Sequence, residues 1–294
     1  MLRQHNQNKK TLDNLVDNIY NKLSNLNKEK SLGITKKQAD EFGKAMSAAL
    51  LGWSEPYKRD PKASSLRMSS IGRDDRKLWY EANLKQESEG HAPSTHIKFL
   101  YGHLLEELVL MLVRLAGYEV TDQQKEVVVE GVKGHMDCKI NGEVIDVKSA
   151  SPFSFKKFED GTLAQNDPFG YLGQLSGYEA AEETKAGGFL VIDKVTGKLC
   201  LHRPDEFDKV DAKKRIKDLK KIIKKKKLPA RCHSPIPNGS SGNMALPRDC
   251  FYCPFKFECH KDANDGNGLR TFKYARSLTY LTKVVREPRA EEIT

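Results

Sequence analysis

The chain has 294 residues, of which 38% are hydrophobic and 31% charged, with a formal net charge of +10 and six cysteines. This length supports a sizeable core with appendages, and the longest apolar run, Leu108 to Val113, is too short to span a bilayer. The opening MLRQHNQNKK has no apolar leader, so a cytoplasmic chain is expected. Cysteines there serve metals or packing sooner than disulfides, and the positive balance points to an anionic partner, nucleic acid first.

Leu12, Leu15, Val16, Ile19, Tyr20 and Leu23 recur at helical spacing, and Thr35 is placed to cap a second helix. Residues 1–60 therefore read as an accessory helical segment, and the Pro- and Lys-containing stretch Glu55 to Ser65 as a connection. In MSSIGRDDRKLWYEAN, Ser69 or Ser70 is expected to cap a helix carrying Leu78, Trp79 and Tyr80. A helix start with Ser70 and Arg73 suits a phosphate; an ordinary cap with surface arginines accounts for the same residues. Thr95 to Gly117 is helical and apolar on most of its surface, which predicts burial on more than one side. His103 and Glu106 share one of its faces, and a carboxylate in that setting needs a partner.

Tyr118 to Glu130 reads as a strand leading into GHMDCKINGEVIDVK, residues 134–148. Asn141-Gly142 fits a two-residue type I′ turn, and that turn sets a register with Asp137 opposite Asp146 and His135 opposite Lys148. All four share one face, and Met136, Cys138, Ile140, Ile145 and Val147 share the other. Two carboxylates across a strand pair repel, unless a hard cation such as Mg²⁺ sits between them, with Lys148 alongside. The polar outer face of a half-exposed hairpin accounts for the same pattern.

After Lys148, SASPFSFKKFEDG reads as a loop and turn, and Asp167 to Thr184 as a helix that stacks Gln174 and Tyr178 on one face. Gly187 to Asp193 and Lys198 to His202 form a second hairpin. The order of elements predicts an α/β (α+β) fold, a central mixed sheet flanked by helices. Lys209 to Lys227 is an amphipathic helix whose lysines, Lys220 and Lys221 among them, suit either phosphates or solvent. Cys232, Cys250, Cys253 and Cys259 form a metal-type cluster, with His233 and His260 as possible substitutes. Cys138 and Cys200 sit in strand patterns and read as packing residues. From Gly268 onward a terminal helix is expected, ending near Pro288.

Taken together, Gly102 with Glu106, Asp137, the triplet Asp146-Val147-Lys148, and Gln174-x-x-x-Tyr178 resemble, in family order, the motifs of the PD-(D/E)xK nuclease superfamily, in its RecB-like and lambda-exonuclease-like branches. The resemblance implies a restriction-endonuclease-like core over residues 61–230 and a cysteine region with a terminal helix over 231–294. It implies Mg²⁺ or Mn²⁺ held by Glu106, Asp137, Asp146 and the Val147 carbonyl, with Lys148 orienting water or stabilising the transition state. Gln174 and Tyr178 would hold the strand or the lysine; Ser70, Arg73, Lys148, Lys220 and Lys221 would contact DNA. The cysteines resemble a [4Fe–4S] staple, zinc being the alternative. Two features depart from the pattern: many RecB-like members have His in place of Glu106, and in the iron–sulfur members the first cysteine lies near the position of Arg73-Asp74, a role taken here by Cys232. The function implied is a metal-dependent exonuclease acting on DNA ends in recombination, repair or phage DNA metabolism, with a single-strand-binding or recombination protein as a partner. The alternatives are an inactive DNA-binding or assembly module and a structure-specific endonuclease.

Overall fold

An Asn-Gly pair between two apolar-polar alternations is where the sheet begins. The computed structural model describes residues 10–29, 31–55, 66–84, 92–275 and 277–293; past Glu55, the connection expected up to Ser65 lies outside them. The described residues fall into two compact units, one within residues 1–72 and 86–217 and one within 73–85 and 218–294. This differs from segments divided at residues 60 and 230, because the N-terminal helices join the sheet-bearing unit and residues 73–85 join the C-terminal one.

The first unit opens with α1 (Leu15–Glu29) and α2 (Lys36–Ser54), the latter capped by Thr35, whose side chain accepts from Gln38 N while Gln38 reaches back. The helix α3 (Asp75–Asn83) belongs to the second unit, whereas α4 (Pro93–Leu115) lies in the first. Strands β1 (Val120–Thr121), β2 (Lys125–Val129), β3 (Val132–Met136), β4 (Cys138–Ile140) and β5 (Glu143–Ala150) follow, then α5 (Pro152–Glu159), α6 (Tyr171–Ala181), β6 (Gly187–Asp193) and β7 (Leu199–His202); α7 (Ala212–Lys224) is divided, its residues up to Lys217 in the first unit and those from Asp218 in the second. Among the described residues the central sheet has the order β1-β4-β5-β6-β7, with β5 and β6 parallel and the other pairs antiparallel. This is the mixed sheet flanked by helices that the order of elements predicts. All seven residues of β6 are buried, as a strand covered on both faces requires. On one side Leu12, Leu15 and Ile19 join Val109, Leu110 and Val113 of α4 over Ile140, Ile145, Val147 and Leu190. On the other, Phe158 of α5 and Tyr171 of α6 meet Phe189 of β6.

The hairpin turn is as expected: Asn141 and Gly142 have φ of 50° and 90°, and Ile140 pairs with Glu143 and Cys138 with Ile145. The ladder stops there. β3 leaves β5 and pairs with β2, so His135 stands opposite Glu126, not Lys148, and Asp137 sits at the junction outside either ladder. Three further expectations are corrected. Ser69 and Ser70 lie in a single 3₁₀ turn, and the helix they were to cap starts at Asp75. The loop expected after Lys148 is α5, because Ser151 caps it, accepting from Ser154 N at 3.4 Å, and Pro152 supplies a preset φ at its first position. The terminal helix is a sheet: Phe272 and Tyr274, and Leu278 and Tyr280, are two apart with Lys273 and Thr279 between them, a strand period.

In the second unit β8 (Ile236–Pro237) and β9 (Met244–Ala245) precede the short helices α8 (Arg248–Phe251), α9 (Lys256–Cys259) and α10 (Ala263–Gly266), then β10 (Arg270–Tyr274), β11 (Ser277–Lys283) and β12 (Glu291–Ile293). They form an antiparallel sheet of order β12-β10-β11-β9-β8 over Ala245, Phe272 and Leu281. α3 is held within this unit: Arg76 donates to Pro229 O at 2.7 Å, Trp79 to Lys225 O at 2.8 Å, and Tyr80 stacks on Phe255 at 5.1 Å. No helix among the described residues is long and apolar enough to cross a membrane.

In the first unit α6 presses its glycine face on the turn at Ile71-Gly72, where a Cβ on Gly173 would lie 2.4 Å from Gly72 Cα, while a Cβ on Gly102 of α4 meets nothing within 4 Å. Gly173→Ala is therefore expected to lower stability by about 3 kcal/mol through backbone overpacking. Gly102→Ala, at an open mid-helix position, is expected to raise it by about 1 kcal/mol. Urea unfolding midpoints check both signs.

Candidate active site

Asp146 and Lys148 are two residues apart on β5, so both project from the face opposite Ile145 and Val147. Asp146 has no solvent exposure. Its Oδ2 forms an ion pair with Lys148 Nζ at 2.5 Å, and neither of its buried oxygens has a partner of hydrogen-bond geometry among the described residues. Lys148 Nζ in turn stands 5.2 Å from the centroid of the Tyr171 ring. Asp137 comes from the β3–β4 junction, where its Oδ2 accepts from Val147 N at 2.8 Å and its carbonyl from Gln124 N at 3.0 Å. Glu106 arrives from α4, its Oε1 accepting from Gln124 Nε2 at 2.8 Å. Gln174 and Tyr178, one turn apart on α6, are both buried, and Gln174 Nε2 donates to the Tyr178 hydroxyl at 2.9 Å.

These groups feel one another. Burial pushes the Glu106 carboxyl up to about 7, against the Gln124 hydrogen bond and with the help of Glu107 and Asp146. Burial and the charge of Asp146 hold Asp137 well above the ordinary carboxylate range. Burial works against the charge on Lys148, yet Asp146 and Asp137 outweigh it and hold the ammonium above its usual value. The Tyr178 hydroxyl is raised by burial and by Asp146. Glu106, Asp137, Asp146, Lys148, Gln174 and Tyr178 thus converge on one place in the first unit.

Two contributors were not legible in sequence. Gln124 bridges α4 to the β3–β4 junction, and it does so from a left-handed backbone with φ of 51°. That conformation is uncommon for a residue other than glycine, and such strain concentrates at functional sites. Tyr171, beneath Lys148, follows Gly170 in a turn with no distinguishing motif.

Other predicted residues are placed differently. Ser70 is buried, accepting from Arg67 N at 3.1 Å and donating to Arg67 O at 2.8 Å, so its hydroxyl serves its own turn and does not offer a phosphate contact. Val147 contributes its amide to Asp137, and its side chain to the core. Arg73 lies in the second unit, 3.6 Å from Glu81, and so do Lys220 and Lys221, the latter 3.3 Å from Asp218.

Cys232, Cys250, Cys253 and Cys259 are all in the second unit and are free thiols. Burial raises the Cys232 thiol to about 11 and the Cys250 thiol to about 12, and Cys250 also feels the other three. The backbone N–H groups of Lys77 and Arg76, in the first turn of α3, point at the Cys232 sulfur, and that of Phe255 at Cys253. His260 is buried, its imidazole held below its ordinary pKa by burial and Arg231; His233 lies 3.4 Å from Asp74. Cys138 is buried with its Sγ 3.6 Å from Ile145 O, as a packing residue.

As the side chains stand, no three His, Cys, Asp or Glu residues among those described form a group that would hold a metal ion. The chemistry of the donors nevertheless fits one in each unit. In the first, hard carboxylate oxygens, one of them buried and unpartnered, outnumber the single ammonium. In the second, four thiols are in mutual electrostatic reach, and backbone N–H groups are already aimed at two of the sulfurs.

Neutralising one acid of the buried group should therefore relieve the protein. Asp137→Asn keeps an oxygen for Val147 N and is expected to be more stable than the parent in EDTA, by about 1 kcal/mol or roughly 2–4 °C. Addition of Mg²⁺ or Mn²⁺ should raise the melting temperature of the parent and leave that of the variant unmoved. A variant less stable than the parent in EDTA would show that the acids are not in conflict.

No family model and no curated protein matches the chain. Among solved structures, that of SSO0001 aligns over 62% of this chain and 82% of its own at 18% identity, with a TM-score of 0.35, too distant to carry an argument.

Proposed function

We propose that the chain is a metal-dependent deoxyribonuclease of the PD-(D/E)xK type that hydrolyses phosphodiester bonds from DNA ends. The observation that carries this reading is the fully buried Asp146, with neither oxygen in a hydrogen bond and one of them in an ion pair with Lys148, coupled to Asp137 and Glu106. A structural ion pair would leave no carboxylate oxygen orphaned beside two further acids.

Glu106, Asp137, Asp146 and the Val147 carbonyl would hold Mg²⁺ or Mn²⁺; when bound, the ion lowers the pKa of a water ligand and offsets charge that builds on the phosphate. Lys148 stays protonated beside Asp146 and Asp137, so it acts as a fixed positive charge facing the developing oxyanion and does not take a proton. Tyr178 and Gln174, joined to each other, would hold the strand or the lysine. The resemblance of Gln174-x-x-x-Tyr178 to the RecB-like exonuclease motif is what favours action from ends. Arg73, Lys220 and Lys221 would contact backbone phosphates, in keeping with the net charge of +10. Cys232, Cys250, Cys253 and Cys259 would hold a [4Fe–4S] cluster, or zinc in its place, and free thiols suit a reducing compartment such as the cytoplasm. One observation favours the rival reading of a DNA-binding module without catalysis: the described acids are not grouped as ligands in their present positions.

End-labelled linear DNA and closed circular DNA, incubated with Mg²⁺, Mn²⁺ or EDTA, separate the readings. Linear DNA should be degraded with Mg²⁺ or Mn²⁺ and circles spared, and EDTA should abolish the degradation. Asp146→Ala and Lys148→Ala should each lose about 10²–10³-fold in rate while still binding DNA in EDTA; undiminished cleavage by either variant ends this assignment. Metal analysis of anaerobically purified protein should give iron with sulfide, and Cys253→Ser should lose it; zinc without iron would correct the cluster.

A further inference from the structure

The surface of the first unit next to Lys148 carries aromatic rings that the fold does not use. Phe153, in the first turn of α5, is 70% exposed, and Phe169, just ahead of α6, is 55% exposed. Scattered exposed apolar side chains are ordinary; these two are connected. Lys157 Nζ stands 5.5 Å from the Phe153 ring centroid and donates to Asn166 O at 2.9 Å and Asn166 Oδ1 at 2.7 Å. Three residues along the same turn, Phe169 stacks on Tyr171, with centroids 5.4 Å apart and planes at 27°. Tyr171 carries Lys148 Nζ over its ring at 5.2 Å, and Lys148 touches Asp146. Rings and ammonium groups are therefore interspersed from Phe153 to the buried acid, with Asn166 between Lys157 and the Phe169–Tyr171 pair.

The turn that presents Phe169 is held in place. Gly170 has φ of 75°, Asp167 Oδ2 accepts from Leu172 N at 2.9 Å, and a Cβ on Gly72 would lie 2.3 Å from Gly170 O. Phe169 is thus offered to solvent by a fixed backbone, so little ordering is needed when something stacks on it. Tyr171 is wedged against Phe158 and Phe189.

We infer that this strip, Phe153, Lys157 and Phe169 with Tyr171 packed behind it, is a stacking platform for the unpaired bases of a single DNA strand whose backbone leads to Lys148. Rings interspersed with cations match what single strands offer, a row of π-faces beside a row of phosphates. A duplex keeps its base faces stacked inside and can present only a terminal pair. The proposal rests on the nuclease reading for its direction, toward Asp146, and it adds to that reading a preference for single-stranded ends.

The test uses the full chain in EDTA, so binding is measured without cleavage: anisotropy of a labelled oligothymidylate and of a blunt hairpin duplex. Phe153→Ala and Phe169→Ala should each weaken oligothymidylate binding about ten-fold, and shift hairpin binding by less than about two-fold. Phe169→Trp should keep the affinity, and its indole fluorescence should be quenched on binding; circular dichroism melts confirm that each variant is folded. Parent protein that does not bind oligothymidylate, a double variant that binds it as the parent does, or equal losses on both probes would each overturn the strip. Parent protein that cleaves nothing with Mg²⁺, while the variants still lose single-strand binding, removes the nuclease reading and leaves the strip standing.

Discussion

The arrangement depends on keeping one carboxylate away from water. Taking an ion such as Asp146 out of solvent costs several kcal/mol, and an adjacent opposite charge offsets that only when the remaining lone pairs are satisfied. Lys148 supplies an opposite charge at one oxygen, yet neither oxygen has a partner of hydrogen-bond geometry among the described residues. The difference is carried by the sheet. β5 is flanked by β4 and β6, and the apolar faces of α1 and α4 close over Ile145 and Val147. A strand fixed on both edges cannot twist to bring Asp146 out, so the conflict among the acids is held in place by apolar burial elsewhere.

The second acid is positioned by a failure of pairing. Had the β4–β5 ladder run on, Asp137 would lie directly across from Asp146, where Cα atoms are about 5 Å apart and like charges destabilise. Instead the chain breaks after Met136, and β3 turns to β2. The break frees Asp137 to accept from Val147 N, the amide between Asp146 and Lys148 on the same strand. Gln124 then links this junction to Glu106 on α4 through one backbone and one side-chain hydrogen bond. Three acids from three elements are thus tied together through a strand end and a strained turn.

What could be read from the sequence was whatever local chemistry decides. Asn141-Gly142 fixes a turn because both residues accept positive φ, Thr35 with Gln38 is a capping box, and the near-continuous apolar run of β6 can only be a covered strand. What was missed was decided by distant contacts. The pairing of β3 with β2 cannot be told from a longer hairpin by alternation alone, because both keep the same residues on the same face. Short helices such as α5 carry too few turns for their period to stand out, and only the Ser151-Pro152 start marks it. In the C-terminal stretch, Leu278 and Leu281 satisfy a helical spacing of three, while Leu278 and Tyr280 satisfy the strand period. Gln124 has no signal at all, since its role is created by a bend between two strands.

The position of Lys148 joins the buried acid to the surface. Its ammonium has an anion on one side, Asp146, and an aromatic face on the other, Tyr171, so the nitrogen is held by two attractions of different kind and has little rotamer freedom left. The ring that holds it is stacked on Phe169, which solvent reaches. A ligand stacking on Phe169 therefore presses on the same pair of rings that positions the lysine. If that ligand is a nucleotide, its base and its phosphate address neighbouring parts of one contact chain, the base at the rings and the phosphate at the ammonium. Such coupling would favour a strand seated along the whole strip over a phosphate bound alone, because only the former fixes the ring on which Lys148 rests.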